Sequence, residues 1–177
     1  MSDAPGMYRS QMELRPHDPS WRDWFAEEAV RIMTVLGGVA LRIEHVGSTA
    51  VPDLLAKPII DICVIVANTA DFERCIEPVV GLGYVYRGQH GDDPLRRYFV
   101  LERDGKRVAQ LHVWAAESPS WKETVAFRDL LRNRADLRAA YTREKLRVAE
   151  AVGWKKGEYS IQKGPFIKAI IETEQLS

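Results

Sequence analysis

The chain has 177 residues, enough for one domain with a substantial core, or one domain with a helical extension. Its 46% hydrophobic and 28% charged residues are the balance of a soluble globular protein, and 25 Lys and Arg against 25 Asp and Glu leave no net charge, which argues against bulk nucleic-acid binding through a strongly basic surface. No apolar run approaches the ~18 residues of a membrane span, no basic-then-apolar leader opens the chain, and both cysteines, Cys63 and Cys75, lie in apolar surroundings of the kind found in a reducing compartment, so a cytoplasmic protein is expected.

Residues 1–12 are weakly patterned, and 1–17 read as an N-terminal extension. Asp18-Pro19-Ser20 signals the start of a helix over 21–36, which Gly37-Gly38 ends. A first strand over 41–46 runs into the turn Gly47-Ser48-Thr49, and a second strand follows over 59–66. Asn68 or Thr69 caps a helix over 71–82 that contains Pro78, and a short third strand covers 84–87. The breaker-rich stretch 88–94 reads as a solvated connection; as a flap it would carry His90 or Asp92 toward a site. Strands over 96–101 and 108–114 flank Asp104-Gly105, a strong hairpin signal, so the sheet is mixed.

The last third is helical. Ser120-x-x-Glu123 is a capping box opening a helix over 121–133, with Phe127, Leu130 and Leu131 as core and Arg128 and Arg132 as a basic ridge. A long helix over 136–152 carries Leu137, Tyr141, Lys145 and Val148 at helical spacing, and a final helix spans 160–176. The organisation expected is α/β: a mixed sheet of about five strands flanked by helices over 18–116, with a helical part over 117–177 packed on it.

Chemistry concentrates at 43–66. Gly47 lets backbone approach a ligand closely, while Ser48 and Thr49 supply hydroxyls and N–H groups at a helix start, a combination suited to phosphate. Asp61 interrupts an apolar run and requires a cation, a donor or a proton there. Mg²⁺ shared between such a carboxylate and substrate phosphates is one solution; a turn with a capped helix and a strand-end Asp bonded to backbone is the plainer one. Arg97 alternates with Phe99 and Leu101 and is open to three roles: a phosphate contact, a partner for Asp61, or a solvated residue. His112 lies between Leu111 and Val113, either as a satisfied semi-buried histidine or, if its strand lies beside that of Asp61, as a metal ligand, general base or orienting partner.

The stretch His45-Val46-Gly47-Ser48-Thr49-Ala50-Val51-Pro52, followed by Ala56-Lys57-Pro58-Ile59-Ile60-Asp61-Ile62, resembles the signature of the GrpB-like family, which is grouped with the nucleotidyltransferase-fold superfamily. The resemblance continues more loosely through Leu111-His112-Val113, the 126–132 stretch and 159–166. It implies a nucleotidyltransferase-like fold in which Gly47-Ser48 grips nucleotide phosphates and strand carboxylates hold divalent metal. Asp61 keeps the first carboxylate position; Cys63 stands at the second, and His112 stands in place of a later-strand acid. Tyr141, Lys145, Tyr159 and Lys163 resemble the family's C-terminal pattern, which makes Lys145 and Lys163 candidate phosphate contacts or, alternatively, members of a solvated helix face.

The leading expectation is therefore a nucleotidyltransferase-like enzyme that binds a nucleoside triphosphate, or another phosphorylated small molecule, with Mg²⁺ or Mn²⁺ on Asp61 and His112. Thr49, Lys57, Arg97 and His45 would be auxiliary contacts. The acceptor and the oligomeric state stay open. Two alternatives use the same residues: a nucleotide- or metabolite-binding module without turnover, favoured by the missing acid at Cys63, and a metal-independent acid–base enzyme using Asp61 and His112.

Overall fold

Alternation along the central strands sorts the sheet into two unlike faces, and that sorting places the site. The computed structural model describes residues 5–8, 12–89, 91 and 93–175. The candidate flap residues His90 and Asp92 lie outside them. The strands are β1 (Met7–Tyr8), β2 (Arg42–Val46), β3 (Ile60–Val66), β4 (Tyr84–Tyr86), β5 (Arg96–Arg103) and β6 (Lys106–Ala115), in the order β2-β3-β6-β5-β4, with β1 pairing the start of β6. Among the described strands only β3 and β6 pair in parallel, so the sheet is mixed as expected. It gains β1 over the five strands expected: Met7, in the weakly patterned N-terminal segment, is buried beside β6. Asp104 and Gly105 both take positive φ in the β5–β6 hairpin, the backbone a tight two-residue turn needs.

One face of the sheet is apolar. Ile60, Ile62, Val64 and Val66 alternate along β3 and pack with Phe99, Leu101, Leu111 and Val113 against α1 (Ser20–Leu36) and α2 (Phe72–Gly81). Asp61 and Cys63 are the odd members of the same strand and face the other way. Asp61 therefore interrupts no core; period-2 geometry turns it out of the apolar layer.

The other face is covered by the C-terminal helices α3 (Pro119–Asn133), α4 (Ala135–Ala151), α5 (Lys156–Gln162) and α6 (Gly164–Gln175). Their apolar anchors sit at separate points: Trp121 and Val125 against Cys63, Ile65 and Trp114, and Leu131 and Tyr141 against Val51 and Leu54. Between these anchors the sheet face is polar. Among the described residues no helix is long and apolar enough to cross a membrane.

Three local expectations change. The cap of α3 is Ser118, whose hydroxyl accepts from the Ser120 N–H at 3.3 Å with Pro119 in the first turn, so Ser120 and Glu123 are freed from capping. The single final helix is two, parted at Lys163, where Gly164-Pro165 restarts the helix. Arg128 and Arg132 form no solvated ridge. Arg128 is buried and donates to Glu44 Oε2 at 2.6 Å and to the His45 carbonyl at 2.8 Å, while Arg132 Nε donates to the Ala50 carbonyl at 2.9 Å. Together they clamp α3 to both sides of the Gly47 turn.

Breaking a buried pair by removing one partner costs about 3–5 kcal/mol. Glu44 keeps Arg42 at 2.5 Å, so the low end applies. Arg128→Ala is expected to cost about 3 kcal/mol and about 10 °C in Tm, read by thermal and urea unfolding.

Candidate functional site

The site is built where β2 ends. Gly47 turns the chain with φ 71°, and Ser48–Ala50 form a single 3-10 turn. The register pairs Asp61 with Val46 on one side and Gln110 on the other. Its carboxylate consequently lies against Gly47: a Cβ there would collide with Asp61 Oδ2 and stand 3.1 Å from Asp61 Cβ and Cγ. Turn and carboxylate are thus one unit, and only glycine satisfies both the φ and the space.

Asp61 accepts a hydrogen bond from Gln110 Nε2 at 3.3 Å, and Gln110 Oε1 accepts from the Tyr98 hydroxyl at 2.5 Å. Three lysines approach the same carboxylate from different parts of the chain. Burial pushes the Asp61 carboxyl up to about 6, while the charges of Lys163, Lys57 and Lys145 pull the other way. Lys145, on α4, is buried and donates to Ser48 Oγ at 2.6 Å and to the Leu55 carbonyl, with its ammonium 4.9 Å from the Tyr141 ring. Lys57 and Lys163 share Tyr159, with their Nζ atoms 4.3 Å and 5.6 Å from its ring centre. Burial, and then the neighbouring Lys163 and Lys57 charges, hold the Lys145 ammonium well below the usual lysine range.

The shift at Asp61 has a fixed sign for stability. The folded carboxyl keeps its proton up to about pH 6, and the unfolded one up to about 3.8. The stabilisation is therefore complete below pH 3.8 and is lost as pH rises through about 6. Raising this carboxyl from 3.8 to about 6 is worth ~3 kcal/mol. Asp61→Asn is expected to be more stable than wild type at pH 7 by up to ~3 kcal/mol, and to lack the wild-type decline between about pH 4 and pH 6. Urea unfolding across that range reads both.

His112 lies on the same face but pairs with Cys63, one step along from Asp61. Its ring stacks between Tyr98 and Trp114, with centroids 5.0 Å from each. Both Asp61 and His112 line one cavity of about 500 Å³, with Gln110 as the direct neighbour of the carboxylate. Gly47, Ser48, Thr49, Lys57, Lys145 and Lys163 line that cavity too.

Two expected contacts are elsewhere. Arg97 faces the α2 layer, its guanidinium 4.5 Å over the Phe72 ring, and it donates to the Pro94 and Arg96 carbonyls at 3.0 Å and 2.9 Å. Its neighbour Arg96 has the opposite parity and lines the cavity, 5.7 Å from the Trp114 ring centre. His45 also points to the α1 side, stacked on Phe25 at 4.6 Å, with Nε2 3.0 Å from the Thr49 hydroxyl. Burial, then Arg132 and Arg128, lower its pKa to about 3, so it stands as a neutral brace for the turn. The buried Cys63 thiol is pushed far up by desolvation and the Glu44 charge, which leaves it un-ionised and poorly nucleophilic.

As a metal cage the donor set fits poorly. Asp61 is a single hard donor, with Gln110, Cys63 and His112 around it, and no three His, Cys, Asp or Glu side chains cluster for a metal among the described residues. The positive charge facing Asp61 comes from lysines.

A second compartment of about 290 Å³ adjoins the first; both are lined by Gly47, Ser48, Asp61, Thr124, Lys163 and Ile167. The sequence offered a signal for Gln110 and Arg96 only through strand parity, and the continuous apolar runs of β5 and β6 hide parity.

A sequence model of the family described as GrpB protein matches residues 11–173. The UPF0157 protein BH1888 of Halalkalibacterium halodurans is 34% identical over 169 residues, covering 90% of this chain and 85% of that protein. The crystal structure of GrpB from Enterococcus faecalis superposes with TM-score 0.81 at 31% identity, over 91% of this chain and 96% of that one. The Cid1 poly(U) polymerase superposes with TM-score 0.51 at 12% identity over 75% of this chain and 42% of its own, a likeness of fold alone. A dephospho-CoA kinase of Mycobacterium leprae is 28% identical over 176 residues, which span 85% of this chain and 43% of that protein.

Proposed function

The chain belongs to the GrpB family and has a nucleotidyltransferase-like fold, and from that premise we propose that its cavity binds the phosphates of a nucleoside triphosphate or a related phosphorylated small molecule. The observation that carries this reading is the convergence of Lys57, Lys145 and Lys163 with the Ser48 hydroxyl around the Gly47 turn, in a cavity of about 500 Å³. Three lysine side chains gathered around one carboxylate give the cavity the chemistry to receive phosphate charge.

In this proposal Ser48 and Lys145 hold one phosphate, and Lys57 and Lys163 hold the chain's other phosphate charges. Asp61 is the carboxylate that would face a Mg²⁺ or Mn²⁺ ion carried on the phosphates, and such an ion would supply neutralisation of phosphate charge. Transfer to an acceptor, where it occurs, rests on positioning and charge neutralisation by the lysines. The similarity of a mycobacterial dephospho-CoA kinase to most of this chain supports a nucleotide-bearing occupant. A second reading is favoured by the Asp61 carboxyl standing at about 6: a metal-independent proton transfer on a phosphorylated metabolite, with Asp61 held by Gln110.

Calorimetric titration of ATP, GTP, CTP and UTP, each with and without Mg²⁺ or Mn²⁺, tests the proposal on wild type and Asp61→Asn. Triphosphate binding that weakens steeply with salt is the expected result. If Asp61→Asn loses only the metal-dependent part, the ion lies on Asp61. No binding of any triphosphate under any metal would overturn the proposal.

A further inference from the structure

The second compartment has a chemistry of its own. Along α3 the residues lining it are Ser120, Glu123, Thr124, Phe127, Arg128 and Leu131, and Arg128 is already engaged by Glu44 and the His45 carbonyl. On the facing segment the order is Lys163, Ile167, Ile171. On both segments the far end is apolar, at Leu131 and Ile171. At about 290 Å³ the space equals the liquid volume of about ten waters, too large to be a packing gap. A phosphate group alone leaves it unfilled, and its Leu131 and Ile171 end offers apolar surface, the Arg128 charge being already paired with Glu44.

We infer that the natural occupant is a phosphate ester carrying an apolar arm, with its phosphate against Ser48 and the lysines and its arm lying between α3 and α6. This rests on the phosphate reading proposed above. It adds that the ligand is elongated and amphipathic, and that arm length contributes to affinity and selectivity.

The test is a calorimetric series with inorganic phosphate, butyl, hexyl and octyl phosphate, kept below micelle-forming concentrations. Wild type is expected to gain about fourfold in affinity per methylene until the compartment is full, and then to plateau. Ile171→Trp, which fills the compartment from a partly exposed position, should flatten that slope and leave inorganic phosphate binding unchanged, with circular dichroism confirming the fold. Ile171→Ala should move the plateau to a longer chain. If inorganic phosphate binds but affinity is independent of chain length, the inference is overturned and the phosphate site stands. A slope that neither Ile171 variant alters places the arm elsewhere and also overturns it. If neither inorganic phosphate nor any ester binds, the phosphate reading fails and this inference with it.

Discussion

Gly47→Ala is expected to abolish ligand binding and to destabilise the fold by about 1–3 kcal/mol. Two independent penalties meet at this residue. Its φ of 71° is one that L side chains rarely adopt, and the methyl would overlap the Asp61 carboxylate. Backbone strain alone would let the protein refold around a small local change. The collision does not, because Asp61 is held from behind by Gln110 and the turn is held by Arg128 and Arg132. Something must shift, and whichever moves, Ser48 and Asp61 lose their relative position. Titration of ATP into the variant, with urea unfolding in parallel, separates loss of site geometry from loss of fold. A variant that binds as well as wild type would show that turn and carboxylate are not one unit.

Lys145→Met carries the other large effect. The substitution keeps the length of the side chain and removes only the ammonium, which contributes a charge-assisted bond to Ser48 now and to phosphate in the liganded state. Such bonds are worth about 1.5–3 kcal/mol, so triphosphate affinity should fall at least ~10-fold. Stability moves differently. Because the folded ammonium titrates below its ordinary value, the unfolded chain binds a proton that the folded chain does not in the window between the folded pKa and 10.5. Wild-type stability therefore climbs as pH rises through that window, and Lys145→Met should show a smaller climb. Affinity lost at neutral pH together with a flattened alkaline stability profile is the combined signature.

Much of this arrangement is legible in the residues. Gly47-Ser48 ahead of a carboxylate in a strand points to a phosphate-sized turn, whereas the apolar run around Asp61 hides that the residue faces away from the isoleucine layer. Lys145, Lys163 and Lys57 were named as contacts, and all three line the cavity. Parity on the later strands is where reading stopped. Tyr98 and Phe99 are both large and buried on opposite faces of β5, so no alternation told Arg96 from Arg97. The same holds for Gln110 within the apolar run of β6, whose partner is known only from the register with β3. Arg128 departs from the basic ridge that helical spacing predicts because its partner Glu44 lies 84 residues away, a distance that no helical periodicity reports. The division of the last helix, in contrast, has a local signal in Gly164-Pro165.

The lysine-lined site also bears on the missing acids. Where Cys63 and His112 stand, a carboxylate cage is not available, yet the face is far from inert. Lysine charge supplied from the C-terminal helices and from the segment before β3 gathers where phosphate charge would sit. It makes anion recognition depend on the helical layer staying docked, so substitutions that loosen α3 or α4 should weaken binding without touching the ligand.

The most direct measurement is the titration of the Lys145 side-chain nitrogen by NMR, assigned through its absence in Lys145→Met, in the free protein and with saturating ATP. The account predicts a Lys145 that titrates well below other lysines when free and rises by at least ~1 unit when phosphate is bound, the same coupling that makes binding tighter at lower pH. A Lys145 pKa unchanged by ATP would contradict it, because a phosphate held against that ammonium must favour its charged form.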